Sequence, residues 1–219
     1  MEKINVLPVR EQVAAALRKA IFSNELEIGK EITQEEIAKK LGISRMPVRE
    51  AFQILERDGL LILQNNRSAV VRGLTKDDLR DHYEIRSMLE GEAAARASGN
   101  PDCYGELKRL HEQAKDSLSS SDVTAYIKAN EAFHRGIWEA SKSVRLKSLL
   151  HQLWNGLPPQ VAEFLPNQAK QSIPEHQHIL DAIREGNAEA ARRAMQAHIR
   201  RSMNDFFQQK GNLFVGSGG

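Results

Sequence analysis

Apolar residues recur three and four apart through the first third of the chain, which marks helices with one buried face. Val9, Val13, Leu17 and Ile21 predict a first helix over about 8–23, with Pro8 at its start. Gly29 falls in the loop to Thr33, and Thr33 with Glu36 has capping-box spacing for a second helix, whose apolar side is Ile37 and Leu41. Gly42 is the turn residue, Ser44 the next N-cap, and Pro47 falls in a first turn, where a missing N–H costs little. Val48, Ala51, Phe52 and Leu55 then form an inward stripe, so 33–60 reads as a helix–turn–helix. After Gly59 the period changes. Leu60 to Leu63 is apolar, Gln64 to Arg67 is a polar turn, and Ala69 to Val71 is apolar again: a β-hairpin.

Past the linker Arg72-Gly73-Leu74, Thr75 and Asp78 repeat the capping spacing, and the pattern is helical almost to the end. It predicts helices at about 76–98, 103–119, 122–141, 144–155, 168–185 and 187–209. Breaks fall at Gly99-Asn100-Pro101, Ser119-Ser120-Ser121, Ser141-Lys142-Ser143, Pro158-Pro159 and Gly186. Pro174 interrupts the fifth of these helices or marks its true start.

Composition changes this picture little. A chain of 219 residues has room for two domains with separate cores. A net charge of +2 excludes a histone-like polycation, so any nucleic-acid contact must come from a local patch. Cys103 is the single cysteine, which rules out an internal disulfide and suits a reducing, cytoplasmic setting. The first residues carry no secretory pattern, and no stretch is long enough to span a membrane.

The candidate chemistry of the first region lies on the outer face of the second helix of the pair. Arg45 and Arg49 are four apart and share a face, flanked by Met46 and Gln53. Two forked cations near a helix start suit a DNA major groove, where arginine bonds guanine O6 and N7 or grips phosphate. A solvated helix face is the plainer reading.

Ser44-Arg45-Met46-Pro47-Val48-Arg49-Glu50-Ala51 closely resembles the SR-x-PVREA signature of the GntR family of bacterial transcription regulators, and Leu55 to Leu60 matches its next block. The resemblance implies a winged helix–turn–helix in which Arg45 and Arg49 contact DNA. Ser44, Thr33 and Arg10, at the start of the leading helix, are further candidates for the interface. Ser68 stands where that family's wing usually has glycine, and Arg67 beside it reaches a groove or phosphate, or is a solvated turn residue.

Polar residues also fall where a core is expected. His134 and Asn130 lie in the stripe Val123, Tyr126, Ile127, Phe133, Ile137 and Trp138; His198 lies among Ala191, Met195, Ile199, Met203 and Phe206; His176 sits one turn before Ile179, Leu180 and Ile183. Buried polar groups need partners. Three inward imidazoles can share a divalent metal, zinc or nickel before manganese, or each can bond backbone or water. Arg86 and Glu90 lie four apart along the stripe Leu79, Tyr83, Leu89 and Ala93, as a structural ion pair or as the grip on a small carboxylate. These segments resemble the FCD ligand domain of the FadR-type GntR branch. That resemblance implies an antiparallel helical bundle with a metal on His134, His176, His198 and the residue at 130. The family has a carboxylate there and this chain has Asn130, which brings no charge. Arg86 and Glu90 would then meet the effector.

The expected architecture is mostly α: a winged helix–turn–helix with a small β-hairpin wing over 1–74, an antiparallel all-α bundle over 75–210 and a flexible tail over 211–219. The expected function is a sequence-specific, homodimeric transcription regulator, a repressor and not an enzyme. It would bind a pseudo-palindromic DNA operator and be switched by a small organic acid at the bundle. A dimer follows because one recognition helix reads too few bases to single out an operator. The rival readings are a helical metal-dependent hydrolase fused to a DNA-binding module, against which no H-E-x-x-H is present, and an effector-free architectural DNA binder.

Overall fold

The computed structural model describes residues 8–64, 67–120, 122–156 and 166–210. The expected wing tip at 65–66, the break at Pro158-Pro159 and the 211–219 tail lie outside them. The chain forms two compact units, one up to Asp78 and the other from Leu79.

The first unit holds α1 (Val9–Phe22), α2 (Gln34–Leu41) and α3 (Arg45–Arg57), with β1 (Glu31–Thr33), β2 (Leu61–Gln64) and β3 (Ser68–Val71). Its core joins Val13, Leu17 and Ile21 of α1 to Ile37 of α2 and to Val48, Ala51, Phe52 and Leu55 of α3. Leu60, Leu61, Ala69 and Val71 extend that core under the sheet. The capping box is complete: the Glu36 N–H donates to Thr33 Oγ1 at 3.2 Å and the Thr33 N–H to Glu36 Oε2 at 2.9 Å. Gly42 closes α2 in the left-handed region (φ 66°), which a residue without Cβ adopts freely.

Two expectations need correction here and one needs an addition. The expected hairpin is present as β2 and β3, and β1 joins it to make a three-stranded antiparallel sheet in the order β1-β3-β2, with Glu31 opposite Val70 and Leu61 opposite Val71. A three-residue strand is too short to display an alternation, so β1 left no periodic signal. Ser44 is the N-cap of α3 in extended geometry, but its hydroxyl makes no capping bond. Val9 and Leu41, expected to face inward, are 50% and 40% exposed, because each sits at a helix end that runs past the core.

A buried ion pair ties α1 to the end of α3. Arg18 donates through Nε and Nη2 to Asp58 Oδ2, at 3.1 and 2.5 Å. Burial pushes the Asp58 carboxyl up and Arg18 opposes that shift. Removing one partner strands the other in the core, which costs about 3–5 kcal/mol. Arg18→Ala should therefore destabilise the first unit by several kcal/mol in denaturant unfolding; Arg18→Met, which strands Asp58 equally but keeps an aliphatic stem, should recover part of the loss, and removing Asp58 as well should recover more.

The second unit contains all but the first residues of α4 (Lys76–Ala97), then α5 (Tyr104–Ser119), α6 (Val123–Ala140), α7 (Val144–Gly156), α8 (Pro166–Arg184) and α9 (Ala188–Lys210), with a 3₁₀ turn at Pro101–Cys103 before α5. The Thr75–Asp78 cap precedes it: the Asp78 N–H donates to Thr75 Oγ1 and the Thr75 N–H to Asp78 Oδ2. Pro174 neither breaks nor starts α8, which runs through it. Val123, expected inward, is exposed in the first turn of α6. Gly91 lets α9 lie against α4, since a Cβ there would meet Gln196 Cγ at 2.8 Å. No described helix is long and apolar enough to cross a membrane.

Candidate functional site

On α3 the sequence separates packing from recognition. Val48, Ala51, Phe52 and Leu55 are buried, while Arg45, Met46, Arg49 and Gln53 are exposed on the opposite side. Arg45 lies 3.9 Å from Glu35 with both side chains mostly in solvent, a pairing that holds neither in place. Arg10 lies 3.5 Å from Glu50 of α3 and 3.8 Å from Glu11, in equally exposed contacts that a phosphate can displace. Thr33 uses its hydroxyl oxygen to cap α2 and keeps its proton to donate. Ser44 is exposed at the N-terminus of α3, where unpaired N–H groups favour an anion. Arg67 is exposed beside β3, and its carbonyl accepts the Gln34 N–H. These residues supply exposed donors and two arginines one turn apart, which can read base edges and hold phosphate.

The second unit brings together what the sequence scattered over three helices. His134 of α6, His176 of α8 and His198 of α9 are buried, and one ring nitrogen from each lies within 4.8 Å of the others. The Nε2 atoms of His176 and His198 are 3.4 Å apart. Outside the cluster, His134 Nδ1 meets Glu90 Oε2 at 2.5 Å and His198 Nδ1 meets Glu175 Oε2 at 2.7 Å. A carboxylate on Nδ1 holds the proton there, so the Nε2 lone pairs of His134 and His198 turn inward. His134 Nε2 is buried with no hydrogen-bond partner among the described residues. Burial holds His176 well below the usual imidazole range and lowers His198 to about 4, so both are neutral at pH 7.

The two outer carboxylates are themselves neutralised. Arg86 Nε donates to Glu90 Oε1 at 2.5 Å, and Trp138 Nε1 donates to Oε2 at 3.2 Å. Burial would raise Glu90, but Arg86 and His134 reverse that and hold it far below the carboxylate range. Arg201 grips Glu175 through Nε at 2.8 Å and Nη2 at 2.5 Å, and also reaches Ser172 and Asp205. Burial raises Glu175, and hydrogen bonds from His198 and Arg201 outweigh it, leaving it at about 2.

Arg86 and Glu90 form an ion pair four residues apart on α4. Both Glu90 oxygens are occupied, so it supports His134 and presents no free edge to an effector. The Arg86 guanidinium also stacks 4.4 Å over Trp154. Asn130 is half-buried one turn before His134. The sequence reading missed Glu175 and Arg201 as partners of His198. Arg201, three residues after His198, shares its face and was the available signal. The other four histidines are not part of this group of ligand atoms: His151 contacts Arg135 at 2.7 Å, His82 is half-buried, His178 is exposed, and His111 is buried beside Phe133 and His176.

Three buried imidazoles with converging ring nitrogens, two of them backed by carboxylates, fit a divalent ion of the zinc or nickel kind. Together with the arginine-bearing recognition helix and wing, this is the build of a DNA-binding regulator with a ligand-sensing helical domain.

Comparison with known proteins agrees. Residues 9–71 match the model of bacterial regulatory proteins of the gntR family, and residues 81–201 match the FCD domain. A protein of Paenarthrobacter nicotinovorans named "Probable D-xylose utilization operon transcriptional repressor" is 33% identical, over 87% of this chain and 85% of its own length. The Bacillus subtilis HTH-type transcriptional regulator YdhC is 31% identical, over 84% of each chain. The solved structure of E. coli McbR/YncC is similar with a TM-score of 0.69 and 25% identity, covering 93% of this chain and 99% of that one. The chain belongs to the GntR family: it is a transcription regulator with an N-terminal winged helix–turn–helix and a C-terminal FCD effector-binding domain.

Proposed function

We propose that this regulator is a repressor, acting as a homodimer in the cytoplasm, that binds a pseudo-palindromic operator and is switched by a small organic acid at a divalent ion in the FCD domain. The domain divisions taken for it are 1–74 for DNA and 75–210 for effector and dimerisation. The observation that carries the sensing half is the trio of ring nitrogens within 4.8 Å at His134, His176 and His198. His134, His176 and His198 would hold the ion, which when bound would supply a Lewis acid for a carboxylate oxygen. Asn130, half-buried one turn before His134, would add an amide oxygen without adding charge, so a carboxylate effector would supply the negative charge that balances a divalent ion. Arg86 then acts at one remove, by neutralising Glu90. The relatives' names as repressors support the sign of regulation.

The coupling is a linkage. An acid that prefers one arrangement of the helical domain changes operator affinity by its preference and no more. His134→Ala tests the site. Elemental analysis of protein purified without chelator should show metal content falling well below that of the unsubstituted chain, together with a lower melting temperature. Unchanged metal content would refute the assignment.

A further inference from the structure

His176 differs from the other two cluster histidines in one respect. His134 has Glu90 and His198 has Glu175 on the outer nitrogen. His176 Nδ1 is buried with no hydrogen-bond partner among the described residues, and so is Nδ1 of His111 on α5. The two rings lie edge to face, 6.3 Å between centroids. Phe133 stacks on His176 at 4.3 Å and lies 6.0 Å from His111, so it borders both rings. A buried N–H without an acceptor costs about 1–3 kcal/mol, and two unpartnered nitrogens on neighbouring rings call for an explanation.

The binding chemistry makes the need specific. If His176 gives its Nε2 lone pair to an ion, its remaining proton must sit on Nδ1, where metal-bound imidazole requires an acceptor. We propose that His111 is the positioning residue for His176, accepting the Nδ1 proton on its own Nδ1 lone pair when the three-histidine site is loaded. A direct imidazole–imidazole hydrogen bond places ring centroids roughly 5 Å apart, so a shift of about 1 Å completes it. Both groups start neutral, since burial lowers each. His111 thereby completes the outer shell: carboxylate for His134, carboxylate for His198, imidazole for His176. The neutral third partner also leaves the charge of the site unchanged.

This rests on the metal reading above, and the test separates the two. Zinc affinity of the full-length chain is measured by competition with a chromophoric chelator, for the unsubstituted protein and for His134→Ala, His111→Phe and His111→Gln. The melting temperature of each zinc-free protein is recorded alongside. His111→Phe removes the acceptor but keeps the ring beside Phe133, and should weaken zinc binding about 10- to 100-fold. Its zinc-free melting temperature should stay level or rise, because an unpartnered nitrogen has left the core. His111→Gln, which keeps an acceptor oxygen, should bind zinc within about threefold of the unsubstituted chain. Loss of affinity in His134→Ala with full affinity in His111→Phe overturns the role of His111 alone. Affinity that falls only in step with zinc-free stability, in both His111 variants, also overturns it. Equal affinity in all four proteins overturns the metal site itself, and His111 with it.

Discussion

Arg49→Ala is expected to weaken specific operator binding at least about 30-fold while leaving the fold intact. Arg49 is exposed on α3 opposite the buried stripe of Val48, Phe52 and Leu55, so its removal takes nothing from the core. A bidentate arginine–guanine pair contributes about 1–3 kcal/mol of discrimination, and the proposed dimer on a two-fold operator would engage the residue twice. The loss is then about 2–6 kcal/mol, or roughly 30-fold at the least. Fluorescence anisotropy with the chain's own upstream region, against a scrambled duplex, reads it directly. The salt dependence distinguishes base reading from phosphate grip. Arg49→Ala should leave the slope of affinity against salt nearly unchanged, whereas Arg10→Ala should reduce it by about one counterion and weaken all sequences alike. Equal loss on both duplexes with Arg49→Ala would move that residue from base to backbone.

The recognition helix was legible because every determinant is local. Capping at Thr33 and Glu36, the left-handed Gly42 and the stripe from Val48 to Leu55 all lie within a few residues of each other. The bundle helices were legible for the same reason, and the anomaly of inward histidines followed from their period. The outer partners were only half legible. Arg86–Glu90 is an i, i+4 pair and announces itself, but Glu90 on His134 spans 44 residues and Glu175 on His198 spans 23. Those contacts depend on which helices pack side by side, which no periodicity encodes. Strand β1 stayed hidden because Glu31–Thr33 pairs with β3, more than thirty residues on, and three residues carry too little pattern. The exposure of Val9 and Leu41 shows the complementary error, an apolar stripe that continues past the core it was meant to cover.

Glu90 ties three buried side chains together in the second unit, and its substitution should have a large effect there. It is fully buried, takes donors from Arg86, His134 and Trp138, and has no solvent to replace them. Glu90→Ala leaves the Arg86 guanidinium mostly buried without its carboxylate, at a cost of about 3–5 kcal/mol. For a chain of this size that lowers the melting temperature by roughly 10 °C. Glu90→Gln separates packing from tautomer control. The amide fills the same space, but it presents one donor and one acceptor where three donors converge. If its NH2 faces His134, the imidazole must accept on Nδ1 and carry its proton on Nε2, where a metal needs a lone pair. Glu90→Gln should therefore remain folded yet bind zinc about 10- to 100-fold more weakly. Acid unfolding adds a further check. The folded Glu90 titrates below its ordinary value of 4.5, so its stabilising share is complete at neutral pH and is lost as pH falls through the folded value. The unsubstituted protein should lose stability more steeply below about pH 4 than Glu90→Gln, which has no carboxyl to protonate. Zinc binding by Glu90→Gln equal to that of the unsubstituted chain would show that His134 does not depend on a carboxylate to aim its lone pair.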